Sequence, residues 1–385
     1  MRHNYYDFFA GGGMAGLGLG PQWRCSFAND IDPKKAKSYR LNSQCHGAMQ
    51  VGDVATVQLT DLPGQADLAW ASFPCQDLSV AGKGAGLAGQ RSGTFKPFWR
   101  LMRELHGEGR GPKIIALENV TGAITSKGGR DFATLSRAFS GLGYQFGALI
   151  VDAIHFLPQS RPRVFFIGLR RDLDIPYKLA GTGPSPVWHS RALVEGQRLL
   201  SQSAKARWIW WNAQVPAVRN TSLPDVIEPD PADVAWHSAA QTRQLLSLAS
   251  PHNLTKLEAA KTASRASATP VVGTVYRRTR RDASGSKVQR AEFRFDEVAG
   301  CLRTPAGGSS RQIILFVDGA RVRSRLLSGR EAAALMGLPA SYKLPERYTD
   351  TYKLVGDGVA VPVVGFLNQE LFEPILQHNR LRLVA

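Results

Sequence analysis

The feature that most constrains the fold is an alternation of strand-like and helix-like segments along the first part of the chain. Short apolar runs of strand length occupy residues 4–10, 25–29, 66–72, 113–118, 144–152 and 163–169. Helix-like segments occupy residues 33–41, 94–105 and 132–142. Because strands that alternate with helices build a sheet covered on both faces, this pattern predicts an α/β fold with a largely parallel sheet.

A change of composition predicts a second domain. Residues 174–311 are rich in Pro, Ser, Ala, Gly and Arg, and the alternation of strands and helices is lost there. Order returns in residues 312–385, where we expect a hairpin in IILFVDGARVR, a helix over 329–336 and an amphipathic helix over 359–378. We therefore expect a first domain over 1–173 that is completed by 312–385, with a smaller irregular domain between them.

The charge of the chain indicates a polyanionic partner. The formal net charge is +17 and the isoelectric point is about 10.0. Residues 265–311 alone hold ten Lys or Arg against four Asp or Glu. Nucleic acid is favoured over an anionic membrane surface, because no apolar run approaches the ~20 residues of a spanning helix. The N-terminus lacks the apolar stretch of a signal peptide, so a cytoplasmic protein is expected.

Four cysteines are present, and they form no CxxC pair, so neither a metal site nor a redox dithiol is indicated. Cys75 differs from the others because it follows a predicted strand, in the run Phe73-Pro74-Cys75-Gln76. A proline at that point stiffens the turn and presents the thiol, whose thiolate form is nucleophilic. Taken alone, a buried structural cysteine at a strand end is the better explanation of the pattern.

Three further motifs lie at the ends of predicted strands. Asp7 to Gly13 (DFFAGGG) is a glycine-rich turn, and Asp30 and Asp53 follow the next two segments. A glycine turn and two acids in this order fit a nucleoside cofactor, although each acid singly also fits a helix cap. Glu118 ends an apolar strand, where a sheltered carboxyl group can donate a proton.

Two arginines, Arg161 and Arg163, stand in the run QSRPR just before the last strand of the first domain. At a spacing of two residues they point to one face of an extended segment. They could bind a phosphate or a pyrimidine carbonyl, and a solvated basic turn is the alternative.

Taken in order, DFFAGGG, NDID, GDV, FPCQDLS, ENV and QSRPR resemble the motifs of the C5-cytosine DNA methyltransferases. The resemblance resumes with RLLSGREAAALMGLPASY and GDGVAVPVV, so it covers roughly residues 5–171 and 312–372. The ordered set is specific, whereas each piece singly is not.

The resemblance implies a doubly wound, Rossmann-like sheet for S-adenosylmethionine and a smaller target-recognition domain, with double-stranded DNA as partner. It implies that Cys75 adds to carbon 6 of a flipped cytosine, whose carbon 5 is then methylated. Glu118 would contact the ring nitrogen 3 and the amino group. Arg161 would contact the ring carbonyl, and Arg163 would support it.

The resemblance also implies residues for the cofactor and for DNA. Those expected at the cofactor are Phe9, Gly11, Gly13, Asp30, Ile31, Asp53, Pro74, Phe95 and Asp357. Those expected at DNA are Gln76, Ser79, Lys83, Arg91, Arg277, Arg278, Arg280, Arg281 and Arg303. Residues 79–93 resemble a mobile loop that closes over the flipped base, and the basic run 277–281 fits phosphate contacts better than base contacts.

This chain departs from the family pattern at several positions. Met14 stands where glycine is usual, Asp30 is shorter than the usual glutamate, and Ile31 replaces an aromatic residue. Residues 356–358 read Gly-Asp-Gly where Gly-Asn-Ser is usual. These changes bear on cofactor contacts and leave Cys75 and its expected partners in place.

Two other functions fit the same motifs. One is methylation of RNA, since a tRNA-modifying branch shares them, and the other is a non-catalytic DNA-binding protein. The large basic domain favours duplex DNA. We expect a monomer associated with the bacterial nucleoid through DNA, and a restriction endonuclease acting on the same site as a possible partner.

Overall fold

The computed structural model describes residues 2–74, 94–282, 284–304 and 311–384. The chain divides into two compact units. The first unit contains Met1–Asp152, Pro162–Ala217 and Val359–Ala385, and the second contains Ala153–Arg161 and Val218–Gly358.

The first unit is built on a seven-stranded sheet. Its strands are β1 (His3–Phe8), β2 (Trp23–Asp30), β3 (Met49–Val51), β4 (Leu68–Ala71), β5 (Ile114–Val120), β6 (Gln145–Asp152) and β7 (Pro162–Leu169). Its main helices are α1 (Met14–Leu19), α2 (Pro33–Asn42), α3 (Phe95–Gly107) and α4 (Arg130–Gly141). The strand order is β3-β2-β1-β4-β5-β7-β6. The predicted α/β fold with a doubly wound sheet is confirmed.

One strand of this sheet runs against the others. β7 pairs antiparallel with both β5 and β6, whereas the pairs among β1 to β5 are parallel. A parallel pair needs a crossover of about a dozen residues or more, usually a helix. Only residues 153–161 join β6 to β7, so an antiparallel pairing follows from the short connection.

The core of the first unit follows from the apolar faces of its helices. α3 buries Phe98, Leu101 and Leu105, and α4 buries Phe132 and Phe139. With Leu135 of α4, which is also buried, these residues recur at three- and four-residue spacing, which places them on one face of each helix. Burying each such side chain contributes about 1.5–3 kcal/mol, which stabilises the packing of both helices in the core of the unit.

Residues 174–217 pack with the first unit, although we predicted that they begin the separate basic domain. They form β8 (Ala180–Gly181), α5 (Arg191–Arg198), α6 (Gln202–Lys205) and β9 (Trp210–Trp211). Trp211 is fully buried and its Nε1 donates to the Ile167 carbonyl at 3.2 Å. Trp188 packs against Phe366 in a tilted arrangement, with ring centroids 5.3 Å apart. Packing of aromatic side chains therefore holds residues 174–217 to the first unit, although their sequence is rich in polar residues.

The second unit is more regular than the irregular domain that the sequence predicted. It contains α7 (Ala239–Ser247), α8 (Pro251–Ser267), β10 (Val271–Arg281), β11 (Lys287–Arg294), β12 (Ile313–Asp318), β13 (Arg321–Leu326), α9 (Gly329–Ala334) and α10 (Tyr348–Asp357). The four strands form an antiparallel sheet in the order β11-β10-β12-β13. The predicted hairpin in IILFVDGARVR is β12 and β13. Residues 312–358 thus belong to the second unit, not to the first as expected.

The end of the chain returns to the first unit as α11 (Val361–Leu367) and α12 (Glu373–Val384), joined by a π-helical turn at Asn368–Phe372. Within the described residues, the helical run Tyr348–Arg382 has the length and composition to cross a membrane, but 61% of its most apolar window is buried in the protein. Core helices of other proteins meet the same criterion, so this is a weak indication.

Candidate active site

The turn between β1 and α1 lies at the carboxyl edge of the sheet, and its backbone borders open space. Phe9, Gly11 and Gly13 all have positive φ angles, of 58°, 54° and 81°. Ala10 N donates to the Asn29 carbonyl at 2.9 Å, which fixes the turn against β2. A Cβ at Gly11 would meet no atom within 4 Å, so the space beside this backbone is open. A ligand can approach the chain closely at this point.

Asp30 is committed to the backbone of the same turn. Its Oδ2 accepts from Gly11 N at 2.8 Å, and its Oδ1 accepts from Asp32 N at 2.8 Å. Burial raises the pKa of Asp30 above its usual value, while Lys35 and the two amides act in the opposite direction. Each carboxylate oxygen keeps a second lone pair. The shorter side chain therefore orders the glycine turn and can still accept from a ribose hydroxyl group.

The remaining predicted cofactor residues of the first unit differ in exposure. Ile31 is 68% exposed, although it is large and apolar. Asp53 caps a short 3₁₀ turn by accepting from Ala55 N at 2.9 Å. Phe95 is buried against Phe73, with ring centroids 5.6 Å apart. An exposed apolar side chain, two acids and an open glycine turn fit the adenosine end of a nucleoside cofactor.

Asp7 was not singled out as a site residue by the sequence. It lies at the end of β1, fully buried, and neither carboxyl oxygen has a hydrogen-bond partner among the described residues. Burial raises the pKa of Asp7 to about 8, and the neighbouring Asp30 charge adds to this shift. Asp7 is therefore a neutral acid at neutral pH, beneath the turn that carries Gly11.

The ends of β4 and β5 position the segment that leads to Cys75. Asn119 Nδ2 donates to the Phe73 carbonyl at 3.2 Å, and Asn119 Oδ1 accepts from Val120 N at 2.9 Å. Asn119 is 2% exposed, so this link is protected from water. Pro74 is the last described residue before Cys75.

Glu118 and Arg163 form an ion pair between β5 and β7. Arg163 Nε lies 3.0 Å from Glu118 Oε1, and the two side chains are 13% and 9% exposed. In the antiparallel register Glu118 lies opposite Phe165, two residues beyond Arg163, so the pair is diagonal. Partial burial strengthens such a pair relative to a surface one. Arg163 thus fixes the orientation of the Glu118 carboxylate.

Arg161 belongs to the second unit and donates to backbone carbonyls there. Its Nη1 donates to Leu302 O at 2.9 Å, and its Nη2 donates to Gly356 O at 2.9 Å and Gly358 O at 2.6 Å. The residue is 2% exposed. In the described structure Arg161 ties two chain segments together, and contact with a substrate carbonyl stays a prediction.

Gln159, like Arg161, links backbone segments of the second unit through its side chain. Its Nε2 donates to Leu335 O at 2.5 Å and its Oε1 accepts from Leu302 N at 3.1 Å. Gly356 is required where α10 meets this segment, because a Cβ would lie 2.9 Å from Arg303 C and from Thr304 N.

The other predicted residues lie in different places. Asp357 is exposed in the second unit, where its Oδ1 accepts from Thr304 Oγ1, whereas the other described cofactor residues belong to the first unit. Arg303 is exposed as well. Four of the predicted DNA contacts, together with Cys75, lie outside the described residues: Gln76, Ser79, Lys83 and Arg91.

The basic run 277–281 lies on β10, which pairs with β11 as a hairpin. Arg278 and Arg280 both bind Glu292, with Nε to carboxylate distances of 3.0 Å and 2.6 Å. Arg281 Nη1 donates to Gly285 O at 2.8 Å, and Arg277 is partly buried. The side chains of Arg278, Arg280 and Arg281 are therefore held by the hairpin itself.

A mixed doubly wound sheet with a glycine turn and acids at its carboxyl edge defines a Rossmann-like architecture, which binds nucleoside cofactors at that edge. Residues 3–373 match the family model for the C-5 cytosine-specific DNA methylases, and the chain belongs to this family. It is a DNA (cytosine-5-)-methyltransferase, as the resemblance of the ordered motifs predicted.

Named relatives cover almost the whole chain. The type II methyltransferase M.BsuFI of Bacillus subtilis is 25% identical over 94% of this chain and 71% of its own length. M.HhaI of Haemophilus parahaemolyticus is 24% identical over 94% of this chain and 92% of its own. The crystal structure of the Schizosaccharomyces pombe (S. pombe) Dnmt2 methyltransferase shares the fold, with a TM-score of 0.60, 16% identity and coverage of 97% and 99%.

Proposed function

We propose that this protein methylates carbon 5 of a cytosine flipped out of duplex DNA, with Cys75 as nucleophile and S-adenosylmethionine as methyl donor. Family membership over residues 3–373 supports the reaction class. The observation that carries the assignment of residues is the Asn119 amide bonded to the Phe73 carbonyl. It ties the segment that leads into Cys75 to the strand that holds Glu118.

The proposed reaction begins with the Cys75 thiolate. Cytosine is a poor nucleophile at carbon 5, and addition of the thiolate to carbon 6 makes carbon 5 enamine-like. Carbon 5 would then take the methyl group, and the donor sulfur would keep the electron pair of the broken bond. Water would accept the proton of carbon 5, and the electrons of that C–H bond would restore the ring double bond as the bond between carbon 6 and sulfur breaks. The thiolate leaves in the same form in which it entered, so the protein is regenerated.

Glu118 would hydrogen-bond the ring nitrogen 3 and the exocyclic amino group. A proton shared with nitrogen 3 withdraws electrons from the ring and favours attack at carbon 6. Arg163 holds Oε1 of Glu118 at 3.0 Å, which fixes the direction in which the carboxyl group points. We assign Arg163 as the positioning residue of Glu118.

The cofactor would lie at the glycine turn of the first unit. The backbone at Gly11 and Gly13 would lie beside its methionine end. Asp30 would accept a hydrogen bond from a ribose hydroxyl group, and Asp53 would accept one from the adenine amino group. Phe9 and Ile31 would cover the adenine. When bound, S-adenosylmethionine supplies an electrophilic methyl group.

The substrate assignment rests on charge. A net charge of +17 favours binding to a polyanion, and exposed basic residues such as Arg280, Arg281 and Arg303 suit phosphate contacts. Because the relatives named above are type II methyltransferases, we propose a role in restriction and modification beside an endonuclease of the same specificity. We further propose that the protein acts as a cytoplasmic monomer on nucleoid DNA.

Covalent trapping tests the proposal. A duplex that carries 5-fluorocytosine cannot lose a proton from carbon 5, so wild-type protein should accumulate an adduct that survives denaturing electrophoresis. Cys75→Ala should form none, and Cys45→Ala, which removes another thiol, should form as much as wild type. Absence of the adduct from wild type, or an equal yield from Cys75→Ala, would overturn the nucleophile assignment. A parallel assay with tRNA separates DNA from RNA as substrate.

A further inference from the structure

The hairpin of β10 and β11 extends beyond the core of the second unit as a two-stranded ribbon. Val275 and Phe293, near its base, are 0% and 1% exposed. Thr279 and Gln289, further out, are exposed. Because side chains alternate between the faces of a strand, the protruding part has two faces of different character.

On one face a carboxylate binds two arginines. The face carries Arg278 and Arg280 from β10 and Arg290 and Glu292 from β11. Glu292 binds the guanidinium groups of Arg278 and Arg280, and Arg278 also lies over the Tyr276 ring at 5.6 Å from its centroid. A carboxylate placed between two arginines fixes their donors within the hairpin.

The opposite face presents an uncharged pair framed by positive charge. Thr279 and Gln289 are directly opposed in the register, and the next pair outward is Arg281 with Lys287. Gln289 Nε2 donates to Thr279 Oγ1 at 2.9 Å. Within the described part of the chain, the Gln289 Oε1 and second N–H have no other partner, so an oriented acceptor and donor face outward.

We propose that Gln289, oriented by Thr279, is a specificity-determining residue that reads an adenine in the major groove. A two-stranded ribbon fits that groove, and a glutamine amide pairs bidentately with adenine N6 and N7. The Gln289 Oε1 accepts from the N6 amino group and its outward N–H donates to N7. The Thr279 methyl group suits the C5-methyl group of the paired thymine, while Arg281 and Lys287 contact phosphates. This assignment rests on the proposed function.

The test first requires the recognised sequence, obtained by bisulfite sequencing of DNA from cells that express the wild-type protein. That sequence should contain an A·T pair. Duplexes are then made in which each adenine in turn is replaced by 7-deazaadenine, which lacks the N7 acceptor, or by purine, which lacks the N6 amino group. At one adenine both analogues should lower wild-type kcat/KM by about tenfold to a hundredfold.

The variants separate base reading from other roles. Gln289→Ala should lose about as much on normal DNA and lose nothing further with either analogue at that adenine. Gln244→Ala removes an exposed glutamine from α7 of the same unit and should behave as wild type. Lys287→Ala should weaken binding to all sequences alike.

The outcomes are distinguishable. If wild-type protein makes no methylcytosine, the proposed function fails and this inference falls with it. If methylation occurs but the recognised sequence has no A·T pair, or no adenine analogue is coupled to Gln289, the inference alone is overturned. Circular dichroism melts of Gln289→Ala should match those of wild type, because the side chain is exposed.

Discussion

At the scale of single residues, Asp7 has the least ordinary environment in the described part of the first unit. A carboxyl group without hydrogen bonds, fully buried, is stable only in its neutral form, because a buried charge without a partner is costly. Asp7 lies near the end of β1, just before the glycine turn in the chain. Ionisation of Asp7 would therefore leave a buried charge without a hydrogen-bond partner among the described residues.

Asp7 predicts how stability depends on pH. The pKa is raised from 3.8 to about 8, so the stability that the neutral acid provides is present at low pH and is lost as pH rises towards about 8. Between these values the loss is on the order of 1 kcal/mol per pH unit. Asp7→Asn stays neutral and should lack this dependence.

Thermal unfolding of wild type and Asp7→Asn at several pH values measures this difference. The advantage of wild type over the variant should decline from pH 5.5 to pH 8 and then level off, and contributions from other groups cancel in the comparison. A difference that is constant over this range would show that Asp7 is not neutral in the folded protein.

Arg161 shows what residue types alone could and could not predict. The sequence indicated a functional arginine, since an arginine near a strand end can bind a carbonyl group. The structure supplies carbonyls from its own backbone, at Leu302, Gly356 and Gly358. These partners lie 141 to 197 residues away along the chain, so no local pattern could identify them. The sequence thus identifies the guanidinium group of Arg161 as a hydrogen-bond donor but does not identify the carbonyl groups that accept from it.

At the scale of elements, the strands of the seven-stranded sheet other than β3, and the hairpin of β12 and β13, were predictable, whereas the other elements of the second unit from α7 to β11 were not. Strands β4 and β5 are buried on both faces and read as continuous apolar runs. By contrast α8 buries only Leu257, Ala260 and Ser264, which leaves a weak apolar signature for a helix of 17 residues. The outer part of β10 is polar on both faces. Its strand is specified by pairing with β11, which local sequence does not reveal.

The β1–α1 turn allows two glycines to be compared. A Cβ at Gly11 would meet nothing within 4 Å, whereas a Cβ at Gly13 would lie 3.1 Å from Tyr39 Cδ2. Both φ angles are positive, so alanine costs about 1 kcal/mol of backbone strain at either site. Gly13→Ala carries an additional steric penalty.

We therefore expect Gly11→Ala to weaken S-adenosylmethionine binding about tenfold or more with a small loss of stability, because the new methyl group enters the open space. Gly13→Ala should lower both affinity and melting temperature. Isothermal titration calorimetry and thermal melts measure the two quantities. Unchanged affinity in Gly11→Ala would place the cofactor elsewhere than at this turn.

At the scale of the whole molecule, positive charge is an overall property of the chain. The sequence has 48 Lys and Arg against 31 Asp and Glu. Several arginines of the described residues are engaged within the protein: Arg161 by carbonyls, Arg163 by Glu118, and Arg325 by Glu331 in a fully buried pair. The exposed Lys and Arg side chains that have no partner of this kind are therefore the ones available for phosphate contacts. The affinity for DNA depends on how many of these side chains contact phosphates at the same time.

The dependence of DNA binding on salt concentration measures the number of these phosphate contacts. Each neutralised phosphate releases counterions, so the logarithm of the binding constant should fall linearly with the logarithm of salt concentration, with a slope of about −0.9 per contact. With about 6–10 contacts, affinity for duplex DNA should drop about 10³- to 10⁵-fold between about 50 and 200 mM salt. Lys287→Ala should reduce the slope by about one.

The control is binding of S-adenosylmethionine over the same range of salt. Its affinity should change far less, because binding of this small molecule releases no condensed counterions from DNA. A flat slope for DNA would mean that its phosphates contribute little, and an equal fall in cofactor affinity would mean that salt perturbs the protein instead of its contact with DNA.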